Sequence, residues 1–493
     1  MERRTSLSHD VVEKQVGDVY PATHSVPAED ALLVTWDSPS DPQNPKNWPK
    51  ARKWFTTILL SLGSLVTLMS GAMLAPALGD ISASLHLSQA EAQLSLSIYV
   101  LAFAFGPLLL GPCSEIFGRK PVWVLSSAWY VVWNLGCGFA NGKAAMIAGR
   151  LFAGLGASAD FAISNPVLAD CFPPDERGQS FAIASFIPLL GPALGPIVGG
   201  AITETIGWRW LFWVLSVFEG LLVILAILLL RESHAPTILR RKAKGLRKAT
   251  GRVYYTEFDV ARLGLGERLR IGLVRPFHLL VQEPIIQVMA VLLAYNFGVL
   301  YIVLSTFADL WIDIYHDSPA LSGVRYLALV VGYTMAAQLG GRVTDRVWNH
   351  LKRKRNGEAA PEYRVPLMLP GVILIPAGLI WYGWSAEKHL HWAMTEVGAA
   401  IFGCGIIVGT QAMQAYVLDS FAEYSASAQA AAQFLRNCFA FVFPIFAPAM
   451  YTRLGYGWGN SLLAFLFLAI GVPAPVVLWK YGAKLRGMGR RGN

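Results

Sequence analysis

Gly191-Pro-Ala-Leu-Gly195-Pro-Ile-Val-Gly199-Gly200 is the stretch whose reading decides the fold. Gly191, Gly195 and Gly199 recur every fourth residue and share one helix face, a seam on which another helix backbone can lie closely. Pro188, Pro192 and Pro196 recur at the same interval on an adjacent face and should kink the helix repeatedly. The apolar residues around this stretch rule out a soluble domain. Within a bilayer, neighbouring helices re-satisfy the backbone groups that Gly and Pro release. The spacing predicts a kinked, Gly-lined helix at a seam that opens and shuts.

The rest of the chain agrees. Its 493 residues are 54% hydrophobic and 15% charged, against about 25% charged in a soluble protein. A span needs about 20 mostly apolar residues, and such runs lie near 54–78, 93–112, 121–140, 144–169, 179–203, 210–230, 285–310, 320–341, 365–384, 394–418, 428–451 and 460–480. The fold class is therefore an all-α polytopic membrane protein with twelve transmembrane helices. Two internal matches divide them six and six: Gly111-x3-Glu115 with Gly341-x3-Asp345, and Ala169-Asp170-Cys-Phe172 with Leu418-Asp419-Ser-Phe421. Equivalent positions in two halves predict a parallel repeat with a substrate site between them. The organisation expected is a disordered tail at 1–50, a six-helix half at 51–230, a basic loop at 231–283, a second half at 284–481 and a basic tail at 482–493. The loop should hold a short surface helix, with Tyr254, Tyr255 and Phe258 resting on the membrane interface.

Lys and Arg set the orientation. Lys46, Lys50, Arg52 and Lys53 precede the first span, Arg177 follows the fourth, and Arg240 to Arg252 crowd the central loop, whereas 79–93 carries neither Lys nor Arg. Both termini are expected in the cytoplasm. The net charge of +9 is accounted for by this topology and by anionic lipid, so no nucleic-acid partner is inferred. The polar first 50 residues predict no cleavable signal peptide. The five cysteines have neither zinc nor disulfide spacing, and there is no Asn-x-Ser/Thr sequon. No Walker A loop, His/Cys cluster or Gly-x-Ser-x-Gly elbow occurs, so ATP-driven transport and hydrolase chemistry have no support, and neither cofactor nor metal is expected.

Particular residues stand out. In Gly111-Pro-Cys-Ser-Glu115-Ile-Phe-Gly118-Arg119-Lys120, Gly111 would let the second helix approach a neighbour, Glu115 would face an Arg or a helix N-terminus, and Arg119 would hold the loop at an anionic surface. That makes a latch; an ordinary basic loop is the alternative. Ionisable residues at membrane depth are functional candidates. Arg150 and Asp160 lie about 15 Å apart along the fourth span and differ by roughly 80° in azimuth, so both could border one cavity. Asp160 is read as a proton or substrate site, against a satisfied structural carboxylate. Glu219 is the weaker candidate because its helix is expected at the periphery. Arg436 is expected to pair with Asp419 as a gate. Tyr295, Asn296, Tyr333, Gln411, Gln414, Tyr416 and Gln433 make an aromatic and amide lining suited to a lipophilic solute.

These residues resemble the major facilitator superfamily over about 50–485. Gly111–Lys120 resembles its cytoplasmic loop signature, with Glu115 where the general pattern has Asp. Arg150-x3-Gly154-x-Gly156 resembles the fourth-helix signature, whose Arg is linked to proton coupling, and Gly191–Gly200 resembles the fifth-helix signature of antiporters. Asn44-Pro-Lys-Asn-Trp48, Asp175-Glu-Arg-Gly178, Trp208-Arg-Trp210, Arg275-Pro-Phe277, Glu283-Pro284 and Leu454-Gly-Tyr-Gly-Trp458-Gly-Asn460 look narrower still, like fungal twelve-span drug:proton antiporters. Ala415 departs from that pattern, since many relatives carry Asn there. The resemblance implies a monomeric cell-membrane exporter of a lipophilic small molecule, a fungal secondary metabolite or toxin, driven by protons. A multidrug or polyamine exporter, a nutrient or siderophore importer and a non-transporting membrane sensor are the alternatives.

Overall fold

The computed structural model describes residues 32–172, 184, 186–258, 265–354, 360–421 and 425–489, and not the side chains of some further positions, Gly341 and Asp345 among them. Residues 1–31, Arg177 and the Asp175–Gly178 stretch lie outside that description. The amino-terminal half is built from α1 (Lys50–Ala72), a short α2 (Leu78–Leu85), α3 (Gln89–Phe117), α4 (Arg119–Gly138), α5 (Lys143–Ala157), α6 (Ala159–Cys171), α7 (Gly191–Thr205) and α8 (Arg209–Leu229). Here α5 and α6 together make the fourth span. The central loop holds α9 (Ala235–Thr250) and α10 (Leu265–Gln282). The second half follows as α11 (Pro284–Asp313), α12 (Pro319–Arg325), α13 (Leu327–Lys354), α14 (Leu369–Glu387), α15 (Trp392–Ser420), α16 (Ser425–Gly471) and α17 (Pro473–Gly489). Nine stretches among the described residues are apolar and long enough to cross a membrane. One of them, Ser427–Gly487, reverses at Gly455, whose φ of 71° breaks α16 into the last two spans.

Local chemistry fixes the boundaries. A reciprocal cap starts α3: the Glu91 backbone N–H donates to Ser88 Oγ, and the Ser88 N–H donates to Glu91 Oε2 at 2.9 Å. Gly118, at φ 104°, ends α3 and turns the chain directly into α4. Pro284 and Pro319 occupy first-turn positions, where the missing N–H costs nothing. Outward faces stay apolar, as bilayer contact demands: Leu125 is 70% exposed and Leu228 71%.

One end of the bundle carries the basic residues, and there residues 32–50 depart from the disordered tail expected for 1–50, while the central loop holds the helix α9. Leu32–Val34 pairs in parallel with Tyr254–Thr256, register Leu32 to Tyr254, and Lys242 of α9 makes a 2.6 Å ion pair with Asp37. Beyond the strand, the buried Asp41 carboxylate accepts the backbone N–H groups of Gln43 (2.8 Å) and Asp37 (2.9 Å), and Asn47 Nδ2 donates to Asp41 O and Pro39 O. Residues 32–50 are thus a knotted strap, because Asp and Asn side chains hold the backbone where no hydrophobic period exists. The last tail is also folded, since α17 runs through position 482 and Arg486 pairs with Glu362.

The backbone N–H groups of Asp37 and Gln43 hold the Asp41 carboxyl below its usual value of 3.8. A depressed carboxyl stabilises at neutral pH, and that contribution is lost as the pH falls below about 4 and through the lowered value. Asp41→Asn weakens two charge-assisted bonds, each contributing about 1.5–3 kcal/mol. Residues 32–48 are therefore expected to be cleaved by protease roughly tenfold faster in the variant at pH 7, with the difference fading below pH ~4. Equal rates at pH 7 would mean that the knot is held by other contacts.

Candidate functional site

Two charged side chains are buried inside the amino-terminal half. Arg150 is 0% exposed: Nη2 donates to Ser70 O (2.9 Å), Nη1 to Ser70 Oγ (3.1 Å) and Nε to Ser95 O (3.3 Å). Its guanidinium lies 4.1 Å over the Tyr99 ring. Asp160, 4% exposed, accepts from Trp123 Nε1 (2.8 Å) on Oδ1 and from the Thr67 hydroxyl (2.6 Å) on Oδ2. Tyr99 joins the two by donating its hydroxyl to Thr67 O at 3.1 Å. Gly63 makes room for the arrangement, because a Cβ there would come 2.9 Å from the Trp123 ring and 3.1 Å from Asp160 Oδ1.

This corrects the expected cavity wall. Arg150 and Asp160 are sealed between α1, α3, α4 and α8 of one half. The azimuth argument placed both on one face of the span, but their side chains are enclosed by α1, α3 and α4, not by a cavity. Glu219 points inward, although α8 is exposed along its outer face at Val217, Leu221 and Ile224. It is 2% exposed on α8, faces Ser127 and the Asp160 side of the cluster, and its Oε2 is buried without a hydrogen-bond partner. A buried acceptor without a donor is costly unless it is protonated or used. The Thr67 hydroxyl has a second acceptor, Ala157 O at 3.4 Å. It can therefore turn away and accept when Asp160 carries a proton. Chemically the cluster can hold and release a proton without losing its hydrogen bonds.

Arg119 is held by side chains from three segments. Arg119 donates Nη1 to Ser114 Oγ and places Nε 3.6 Å from Asp170 Oδ2, while its backbone N–H donates to Glu232 Oε1 at 2.8 Å. Asp170 at the end of α6 and Glu232 after α8 hold Arg119, while Glu115 is exposed. Gly118 is required twice over: its φ is left-handed, and a Cβ would strike Glu232 Oε2. Gly111 makes no close approach, since no described atom lies within 4 Å of where its Cβ would be. The close contact is made instead by Gly272 of α10, whose Cβ position lies 2.6 Å from Pro112.

Of the fifth-span glycines, Gly191, Gly195 and Gly199 face α1. A Cβ on Gly191 would meet Leu68 Cβ at 2.7 Å, one on Gly195 would meet Met69 O at 3.0 Å, and one on Gly199 would overlap Met73 O. That stripe is packing within one half. The helix starts with Pro192 in its first turn and retains Pro196 inside. The next residue makes a contact between the halves. A Cβ on Gly200 would overlap Pro319 O and lie 3.0 Å from Ala320 Cα, and one on Gly323 would overlap Pro196 O and lie 3.0 Å from Ile197 Cα. Each glycine therefore sits on the proline carbonyl of the other half. The Ala320 N–H adds a 3.1 Å bond to Glu204 Oε2. At the end opposite the basic one, the halves touch backbone to backbone. Sequence reading passed over this crossing, though its signal is plain: Pro-x3-Gly occurs at 196–200 and again at 319–323.

In the second half, several expected cavity residues bond to neighbouring helices of the same half. Tyr295 donates to Leu463 O (2.9 Å) and packs against Phe443 and Phe467. Asn296 Nδ2 donates to Thr410 Oγ1 (2.9 Å), but its Oδ1 is buried without a partner, as is the Tyr333 hydroxyl. Tyr416 is 0% exposed, Gln411 is exposed, and Gln433 is half-buried. Gln414 offers only its backbone carbonyl, to Gln429 Nε2 at 3.0 Å. Arg436 does not reach Asp419. It lies 4.3 Å over the Phe297 ring and bonds Asn437 Oδ1 at 3.3–3.4 Å, roughly 16 Å along its helix from Ser425. Asp419 instead pairs with Arg364 at 2.8 Å, from the Pro361–Met368 turn beside it.

Comparison with known proteins gives a consistent picture. A family model described as Major Facilitator Superfamily matches residues 60–444. An uncharacterized transporter of Schizosaccharomyces pombe is 40% identical over 479 residues, covering 97% of this chain and 98% of that protein. Efflux pump vrtL of Penicillium aethiopicum is 40% identical over 488 residues, 97% of this chain and 96% of its own. The partially occluded, inward-open structure of the xylose transporter XylE from E. coli superposes with a TM-score of 0.64 at 16% identity, over 88% of this chain and 98% of that one.

Proposed function

The chain belongs to the Major Facilitator Superfamily, and we propose that within it the protein is an exporter driven by proton influx. Its cargo is a lipophilic small molecule, a fungal secondary metabolite or toxin. The observation that carries the reading is the end-to-end 40% identity to a named efflux pump. The basic end faces the cytoplasm of a cell-membrane protein with both termini inside, in keeping with the Lys and Arg distribution. The organisation is two transporting halves, 51–230 and 284–481, with the strap and the 231–283 segment on the cytoplasmic side, acting as a monomer.

In this reading Asp160, with Arg150 beside it and Glu219 behind it, takes up the proton. The Arg119–Asp170–Glu232 latch and the Gly200–Gly323 crossing close opposite ends in turn. The Asn296 carbonyl, the Tyr333 hydroxyl and Arg436 retain hydrogen-bonding capacity for a cargo with few polar groups, and the surrounding Phe and Tyr rings suit its lipophilic bulk. One inward proton supplies about 2.3 kcal/mol per 100 mV. The test is uptake of a labelled panel of lipophilic metabolites into inside-out vesicles from yeast expressing the chain. Uptake that needs an interior-acid gradient and stops with a protonophore is expected. Gradient-driven accumulation in right-side-out vesicles instead would make the protein an importer.

A further inference from the structure

At the basic end, on the outer flank of the amino-terminal half, lies a cavity of about 610 Å³, away from the Asp160 cluster and sharing only Glu232 with the latch. Its floor is apolar: Val124 from the first turns of α4, and Ile227 and Leu230 from the end of α8. Trp48 of the folded strap, itself 5% exposed, closes one side. Its rim is cationic. Arg231 and Arg241 are exposed and have no hydrogen-bond or ion-pair partner among the described residues. Lys120 uses one N–H on Ile227 O at 2.9 Å and keeps two. The carboxylate in the lining, Glu232, is turned inward, its Oε1 accepting the backbone N–H groups of Arg119 (2.8 Å), Ser233 (3.1 Å) and His234 (3.0 Å).

Three cations around an apolar floor select a phosphate-bearing ligand, because guanidinium forks match phosphate oxygens. The floor continues outward into an apolar strip with Ile227 53%, Leu228 71% and Leu125 70% exposed. Free phosphate has no use for that strip, whereas acyl chains do. We infer that the cavity is a binding site for an anionic glycerophospholipid, its head group held by Arg231, Arg241 and Lys120 beside Trp48, its chains lying along the α4–α8 flank. The same site gives the strap a reason to be folded, since residues 42–48 supply one wall. The inference does not depend on the direction of transport.

Native mass spectrometry of the full-length protein in mild detergent tests it, with synthetic phosphatidylserine, phosphatidylcholine and inorganic phosphate as probes. At about 1 kcal/mol for each cation near an anionic head group, three predict retention of phosphatidylserine over phosphatidylcholine by roughly a hundredfold or more. Arg231→Gln with Arg241→Gln should cut that preference by roughly thirtyfold. Lys244→Gln, which removes an exposed charge from α9 outside the cavity, should leave it unchanged. Millimolar phosphate should not displace the lipid. Equal retention of both lipids, an unchanged preference in the double variant, an equal loss in Lys244→Gln, or displacement by phosphate would each overturn the assignment, the last by making it a free-anion site.

Discussion

Replacing Asp160 by Asn is expected to leave the protein folded and to abolish uphill export. The side chain keeps its volume, and the buried network can be re-satisfied. Trp123 Nε1 can only donate, so the amide carbonyl takes the Oδ1 place at 2.8 Å. The amide NH2 then donates to Thr67 Oγ1, whose own proton turns to Ala157 O. What is lost is the ability to bind a proton. At about 2.3 kcal/mol per 100 mV, one coupled proton sustains roughly a fiftyfold gradient of a neutral solute. In the variant that gradient should collapse to unity while counterflow exchange of labelled solute continues. Asp160→Ala instead strands the Trp123 N–H at about 1–3 kcal/mol and should lower folded yield. Full energised export by Asp160→Asn would make the residue a structural carboxylate and move proton uptake to Glu219 or elsewhere.

Reading Asp160 as a candidate needed nothing but its depth in an apolar run. Hydropathy is a local property, and the twelve spans were legible for the same reason. Partner choice is not local. Asp419 and Arg436 are both charged and close in sequence, yet Asp419 takes Arg364, because the Pro361–Met368 turn lies beside the end of α15 while Arg436 is three turns up its helix. Glu219 was ranked lower because its helix was expected at the periphery, and a peripheral helix can still turn one carboxyl inward. The small polar residues that admit its carboxyl, Ser127 among them, lie on another helix. The strap was misjudged by composition: Asp41 and Asn47 look like solvent-loving residues until their side chains are seen closing backbone turns.

The fifth-span glycines show the same division, and adjacent positions separate packing from gating. Gly200→Val places methyl groups against Pro319 O and Ala320 Cα. Both are backbone, so no rotamer change relieves the clash and the two halves must part at that end. Overpacking of this kind costs about 1–3 kcal/mol, which biases the open-to-closed ratio roughly 5- to 150-fold. Export should fall by about that factor, while a cysteine placed at Ile197 should react faster with an impermeant thiol reagent added from that side. Gly323→Val should reproduce both effects from the other half, because its Cβ meets Pro196 and Ile197. Gly199→Val differs: it drives into Met73 O of its own half, so it should lower folded yield without selectively opening one end. Gly220→Ala, with nothing within 4 Å, should be neutral or stabilise α8 by about 1 kcal/mol. Normal export with unchanged labelling in Gly200→Val would show that the crossing does not limit the cycle. A Gly200 variant that fails to fold like Gly199→Val would make both glycines simple packing residues.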